Sequence, residues 1–238
     1  MSSSTTAIAR RDFASYFLTP AGYIITALYL LFTAGFFIYG FQQGQTASMR
    51  PVFEYGAWLL LFIGPAITMR MMSEEMRMGT MEMLITAPLR EREIVLGKFI
   101  AALAFLFVML LPTAVFVVAL ELYGRPDYGE LGCGYLGLLL AGTAYIASGI
   151  FASTTTGSQV VAFLLALFFW LVLSIGTKLL PPYLPGDWGR WLIMFDPDLR
   201  FRDFAIGLVD TANIVFFLGL TVVFLVAATK SLEARRWR

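Results

Sequence analysis

A chain of 238 residues that is 59% hydrophobic and only 14% charged, with a mean hydropathy of +0.77, departs from soluble composition; soluble domains carry about 25% charged residues. Its formal net charge of +1 leaves no electrostatic footprint for nucleic acid. With no histidine and one cysteine, Cys133, it excludes histidine-based metal sites, Ser-His-Asp chemistry and an intrachain disulfide.

In chain order, Ala7 to Pro20 sets Ile8, Phe13, Tyr16 and Phe17 beside Arg10, Arg11 and Asp12. That mixture suits a short amphipathic stretch lying along the inner membrane interface, so residues 1–20 are expected to form an N-terminal interfacial segment, the alternative being a disordered tail that ends in an anchor. No basic, apolar and small-residue order marks a cleaved signal, so the first apolar run is expected to be retained. Spans are predicted over 21–41, 52–70, 94–120, 131–152, 160–178 and 212–229, since about 20 apolar residues cross roughly 30 Å of hydrocarbon. Pro65 is expected to kink the second span, and Pro112 falls inside the third. From Leu131 to Thr177 there is no charge. One helix of that length would reach about 70 Å, so the chain must turn back. The polar stretch Ser153-Thr154-Thr155-Thr156-Gly157-Ser158-Gln159 is the place to do so. Residues 180–210 mix Trp188, Trp191, Phe195, Phe201 and Phe204 with acids, arginines and prolines, which reads as short helices in the outer interface. A closed β-barrel would need short alternating strands, and these runs do not alternate. The fold class is therefore all-α and polytopic, a single membrane domain over 1–238 with six spans.

Six spans put both termini on one side. With the termini inside, 11 of the 17 Lys and Arg residues fall on the cytoplasmic side and 6 on the outer side. The positive-inside rule therefore places both termini, and the 71–92 connection, in the cytoplasm. The span interiors hold no charge, and Glu54, Glu121 and Lys178 sit at span ends; an intramembrane proton relay is disfavoured. No G-x-x-x-x-G-K-[ST] loop is present, so ATP hydrolysis by that route is absent. Glu74-Glu75 is the one adjacent carboxylate pair. Neighbours on a helix point about 100° apart, so the pair reads as an exposed, solvated face and not as a shared acid site. No catalytic residue, metal or cofactor is assigned, and any energy must come from outside the chain.

The 71–92 segment is helix-prone from Met71 to about Ala87, with no proline until Pro88. Gly79-Thr80 interrupts it, where glycine costs up to about 1 kcal/mol relative to alanine. That break would let a short helix lie across the end of the second span. Met72, Met76, Met83 and Leu84 share one face, and methionine adapts to irregular grooves. Composition alone leaves this face open between a docking surface and a helix resting on lipid.

At these residues the chain resembles the permease subunits of ABC-2-type transporters. The pattern is an acidic pair, Glu74-Glu75, then Gly79-Thr80, then Glu82-x-Leu84, then Pro88, then Ile94-Val95-Leu96-Gly97-Lys98 entering the next span. Two further stretches, Tyr16-Phe17-Leu18-Thr19-Pro20-Ala21-Gly22-Tyr23 and Gly64-Pro65-Ala66-Ile67-Thr68-Met69-Arg70, resemble the branch associated with gliding motility. The resemblance implies a subunit of the bacterial inner membrane, exporting an unread substrate. It would pair with a second permease, identical or different, and with two copies of a cytoplasmic ABC ATPase that bind the ATP and Mg. It also implies that the connection between spans two and three is the coupling helix, seated in a groove of the ATPase. Glu74, Glu75, Met76, Arg77, Gly79, Thr80, Glu82 and Leu84 are then the candidate ATPase-coupling residues. Pro65, Pro112 and the small residues Ala144, Ser148 and Ala152 are expected to let packed helices shift. The chain departs from larger members in having no long extracytoplasmic domain between spans one and two. The alternative is a membrane anchor or assembly protein whose charged segment recruits a partner that is not an ATPase.

Overall fold

The computed structural model describes residues 3–40, 48–79, 90–123 and 126–236, and among them there is no strand. Helix α1 (Ser3–Leu18) is followed after one residue by α2 (Pro20–Gly40). Pro20 suits the first helical position, where its missing N–H leaves no bond unmade. The third helix, α3 (Arg50–Arg77), also has a proline in its first turn and carries Pro65 inside. It continues through Pro65, and the Thr68 hydroxyl there donates to the carbonyl of Gly64 at 2.9 Å. Helix α4 (Glu91–Leu110) passes into a 3-10 turn at Leu111–Thr113 and then α5 (Ala114–Tyr123). The interruption falls at Pro112, which lacks the N–H that an α-helix needs at that point.

Helices α6 (Tyr128–Thr155) and α7 (Gln159–Leu179) form a hairpin. Asp127 caps α6 by accepting from the Gly129 amide, and Ser158 caps α7 by accepting from the Val161 amide. The turn between them is Thr156-Gly157-Ser158, within the polar stretch of an otherwise charge-free run. A 3-10 turn at Pro181–Tyr183 leads to α8 (Trp188–Ile193), α9 (Pro197–Ala205) and finally α10 (Thr211–Arg236). Among the described residues, six helical stretches are long and apolar enough to cross a membrane: Pro20–Gly40, Arg50–Arg77, Glu91–Leu122, Tyr128–Thr155, Gln159–Leu179 and Thr211–Ala234.

The core is organised around α6, which packs against α3, α4, α7, α9 and α10. Ala144, Ser148 and Ala152 are all buried on it. Trp170 of α7, also buried, donates its indole N–H to the Ser148 hydroxyl at 2.8 Å, which meets the hydrogen-bond need of both groups. The 180–210 segment is divided. Trp188 and Trp191 are exposed, whereas Phe201 and Phe204 of α9 are buried against the bundle. This is permitted for backbone at the membrane because the bundle covers it. Helix α9 thus closes the end where α3 begins, and α1 packs on α4 at the end where α3 finishes.

Candidate functional site

The end of α3 carries most of the candidate residues that the structure describes. Met71, Met72, Met76 and the charged residues between them are good helix formers, so the helix does not stop where the apolar run stops at Arg70. It runs on to Arg77, steadied by Arg70 reaching Glu74 four residues later at 3.3 Å. The Met78 amide closes on the Glu74 carbonyl at 3.0 Å, and Gly79 then takes φ +71°. Only glycine enters that left-handed region without steric cost, so Gly79 is a helix stop. Glu74, Glu75, Met76 and Arg77 therefore belong to the final turns of a spanning helix. Thr80, Glu82, Leu84, Met83 and Pro88 lie outside the described residues.

The adjacent glutamates part company, as their angular separation requires. Glu74 stays part-exposed beside Arg70. Glu75 corrects the expectation of a solvated face, since its side chain is only 14% exposed and points inward. There it meets Lys98 of α4, with the ammonium 2.9 Å from the Glu75 carboxylate and 3.0 Å from the Asp12 carboxylate of α1. The Lys98 side chain is 2% exposed and that of Asp12 is 12% exposed. Arg11 completes the group, bonding Asp12 at 2.8 Å and Glu75 at 3.1 Å. Two acids and two bases balance, which is what burial of a charge demands. Burial works against the Arg11 charge, but the Asp12 hydrogen bond and the fields of Asp12 and Glu75 outweigh it and raise its pKa.

Two apolar features bring α1 close enough for this. A Cβ on Gly97 would lie 2.9 Å from the Ile8 side chain and 3.1 Å from the Thr5 carbonyl, so glycine is what admits α1 to the first turns of α4. Tyr16 stacks on Phe105 with centroids 4.5 Å apart and donates its hydroxyl to the Ile67 carbonyl of α3 at 3.0 Å. Burial pushes the Tyr16 phenol up, the Asp12 charge adds to this and Arg70 opposes it, so the hydroxyl stays a neutral donor. A cavity of about 360 Å³ lies beside the cluster, lined by Tyr16, Ile67, Arg70, Glu74, Glu75 and Lys98 among others.

Sequence reading singled out Glu75 and missed its partners. The sequence sets Asp12 on the interfacial segment and Lys98 at the entry to the third span, each without a counter-charge. The available signal was the cost of a charge at the edge of an apolar run, which asks for a partner. Chemically the arrangement holds no metal cluster among the described residues. It is suited to transmit force, since a displacement of the α3 end reaches α4 through Lys98 and α1 through Arg11.

A sequence model of the family described as ABC-2 family transporter protein matches residues 3–185 of the chain. The matched stretch includes all four members of the ion cluster. No curated protein matches the chain.

Proposed function

This chain belongs to the ABC-2 family of transporter proteins, and from that premise we propose that it is the half of an ATP-driven exporter that receives motion from a separate ATPase at the α3 end. The family makes it a multi-pass membrane permease component whose associate is an ABC ATPase. The finer reading is as follows. Two ATPase copies bind ATP and Mg in the cytoplasm, beneath a pair of permeases, identical or different, in a bacterial inner membrane. Both termini face the cytoplasm. The branch is that of the gliding-motility permeases, supported by the residues from Tyr16 to Tyr23 and from Gly64 to Arg70.

The observation that carries this reading is the sharing of buried Lys98 between Asp12 and Glu75. A docking segment that only rested on lipid would have no use for a charged linkage to two other helices. Closure of the ATPases moves the end of α3. Glu75 passes that displacement through Lys98 into α4 and through Arg11 into α1, so three elements move as one body. Met76, Arg77 and Gly79 stand at the end offered to the ATPase groove, and Thr80, Glu82 and Leu84 are assigned to the same contact from the sequence pattern alone.

Co-purification with the cognate ATPase, and stimulation of its hydrolysis, test the proposal. Glu75→Lys places a third cation against Lys98 and Arg11, and should uncouple hydrolysis from the permease by about tenfold or more, as expected when a charged hydrogen bond is lost. Deletion of residues 74–84 should abolish binding. Undiminished binding and stimulation in both variants removes the proposal.

A further inference from the structure

At the opposite end of the bundle the arginines are arranged differently. A cavity of about 570 Å³ between the start of α3 and the α8–α9 segment is lined by Arg50, Arg200, Arg202 and Asp203 together with apolar Met194, Leu199 and Ile206. A second cavity of about 240 Å³ shares Arg50 and Arg202 with it and is walled by Trp58, Tyr145, Glu54 and Asp198. Three carboxylates share these walls, two of them paired with cations and the third, Asp203, held by a neutral amide. Asp198 is bonded to Lys178 and Ser174, Glu54 to Arg50 at 2.9 Å, and Asp203 accepts from the Asn213 amide at 2.7 Å. Arg200 spends its donors on neutral groups, the Met194 carbonyl at 2.6 Å and the Asn213 side-chain oxygen at 3.0 Å, and covers the Phe216 ring at 4.6 Å. Its charge is held in place and not neutralised. The side chain of Arg202, exposed and facing both cavities, makes no ion pair or hydrogen bond among the described residues.

We propose that Arg202, with Arg200 behind it, forms a binding site for an anionic, phosphate-bearing amphiphile at the α9 end of the bundle. The guanidinium fork matches two phosphate oxygens at once. Met194, Leu199 and Ile206 supply the wall along which an acyl chain lies. The two neighbouring exposed tryptophans, Trp188 and Trp191, suit headgroup depth. A free phosphate would satisfy the arginines and leave that wall bare. The site stands apart from the ion cluster, and its existence does not depend on coupling to an ATPase.

Native mass spectrometry of the purified full-length chain, titrated with phosphatidylglycerol or phosphatidylcholine, reads the preference directly. Wild type should retain phosphatidylglycerol in preference, and Arg202→Gln should lower that preference about tenfold, the loss expected for a charge-assisted hydrogen bond. Arg190→Gln, which removes an exposed arginine outside the cavity, should leave it unchanged. Ile206→Glu, which sets a carboxylate on the cavity wall one helical turn from Arg202 and keeps the arginine itself, should lower it as well, so a folding defect in one variant does not decide the matter. Millimolar inorganic phosphate should fail to displace the lipid. Equal retention of the two lipids by wild type, unaltered preference in both cavity variants, or full displacement by inorganic phosphate would each overturn the site.

Discussion

Lys98 is the residue on which the α1 end turns. Its ammonium is withdrawn from water to a side-chain exposure of 2%, and two carboxylates from two other helices approach within 3.0 Å. Breaking such a group from one side is more damaging than never having built it, because the remaining charges stay buried and unmatched. Lys98→Met should therefore destabilise the protein by about 3–5 kcal/mol, read as a lower melting temperature in detergent. Converting Asp12 and Glu75 to leucine in the same chain should recover much of the loss. If Lys98→Met melts like wild type, the ion pairs contribute nothing and the cluster is not a structural link. Glu75 was legible in the sequence as part of an acidic pair, yet its direction was not. Which of two adjacent glutamates turns inward depends on where α4 and α1 lie, and no local period records a partner such as Asp12, 86 positions from Lys98.

Among elements, α1 and the first turns of α4 act as a pair, and Gly97 sets their spacing. Gly97→Leu would drive a side chain into Ile8 and the Thr5 carbonyl. Overpacking of this kind costs about 1–3 kcal/mol and is relieved here most easily by lifting α1. Lifting α1 separates Asp12 and Arg11 from Lys98 and Glu75. The expected result is a protein that still inserts in the membrane but no longer stimulates its ATPase. Stimulation at the wild-type level would show that α1 plays no part in transmission. The Gly97-Lys98 dipeptide was visible as part of a pattern, and the structure supplies a physical reason for each half: one residue admits α1, the other holds it. Helix ends were less legible. Apolarity stops at Arg70, but helix propensity and the Arg70–Glu74 pair carry α3 to Arg77. The Trp- and Phe-rich stretch showed its amphipathic character, whereas the seating of Phe201 and Phe204 inside the bundle depends on a long-range fit to α6.

For the whole molecule, the two ends differ in how they treat charge, and this fixes an expected orientation. The α1 end draws four of its charges into a balanced group around buried Lys98, beside the exposed stop of α3. The α9 end keeps arginines at cavity walls near exposed tryptophans. With the α1 end inside, as proposed, 11 of the 17 Lys and Arg residues would be cytoplasmic, in keeping with the positive-inside rule, and the α3 end would be presented to the proposed cytosolic motor. Reversal would give the motor the α9 end and leave Glu75 with nothing to receive. A chain with Cys133→Ser carries no cysteine, so single reporters can be placed at will. Met78→Cys stands next to the helix stop at a position 63% exposed, and Tyr183→Cys stands at the other end at a position 84% exposed. A membrane-impermeant maleimide applied to intact cells should label position 183 and spare position 78 until the membrane is permeabilised. Labelling of position 78 from outside, with 183 protected, would invert the molecule and move the ATPase contact to a surface where none of the coupling residues lies.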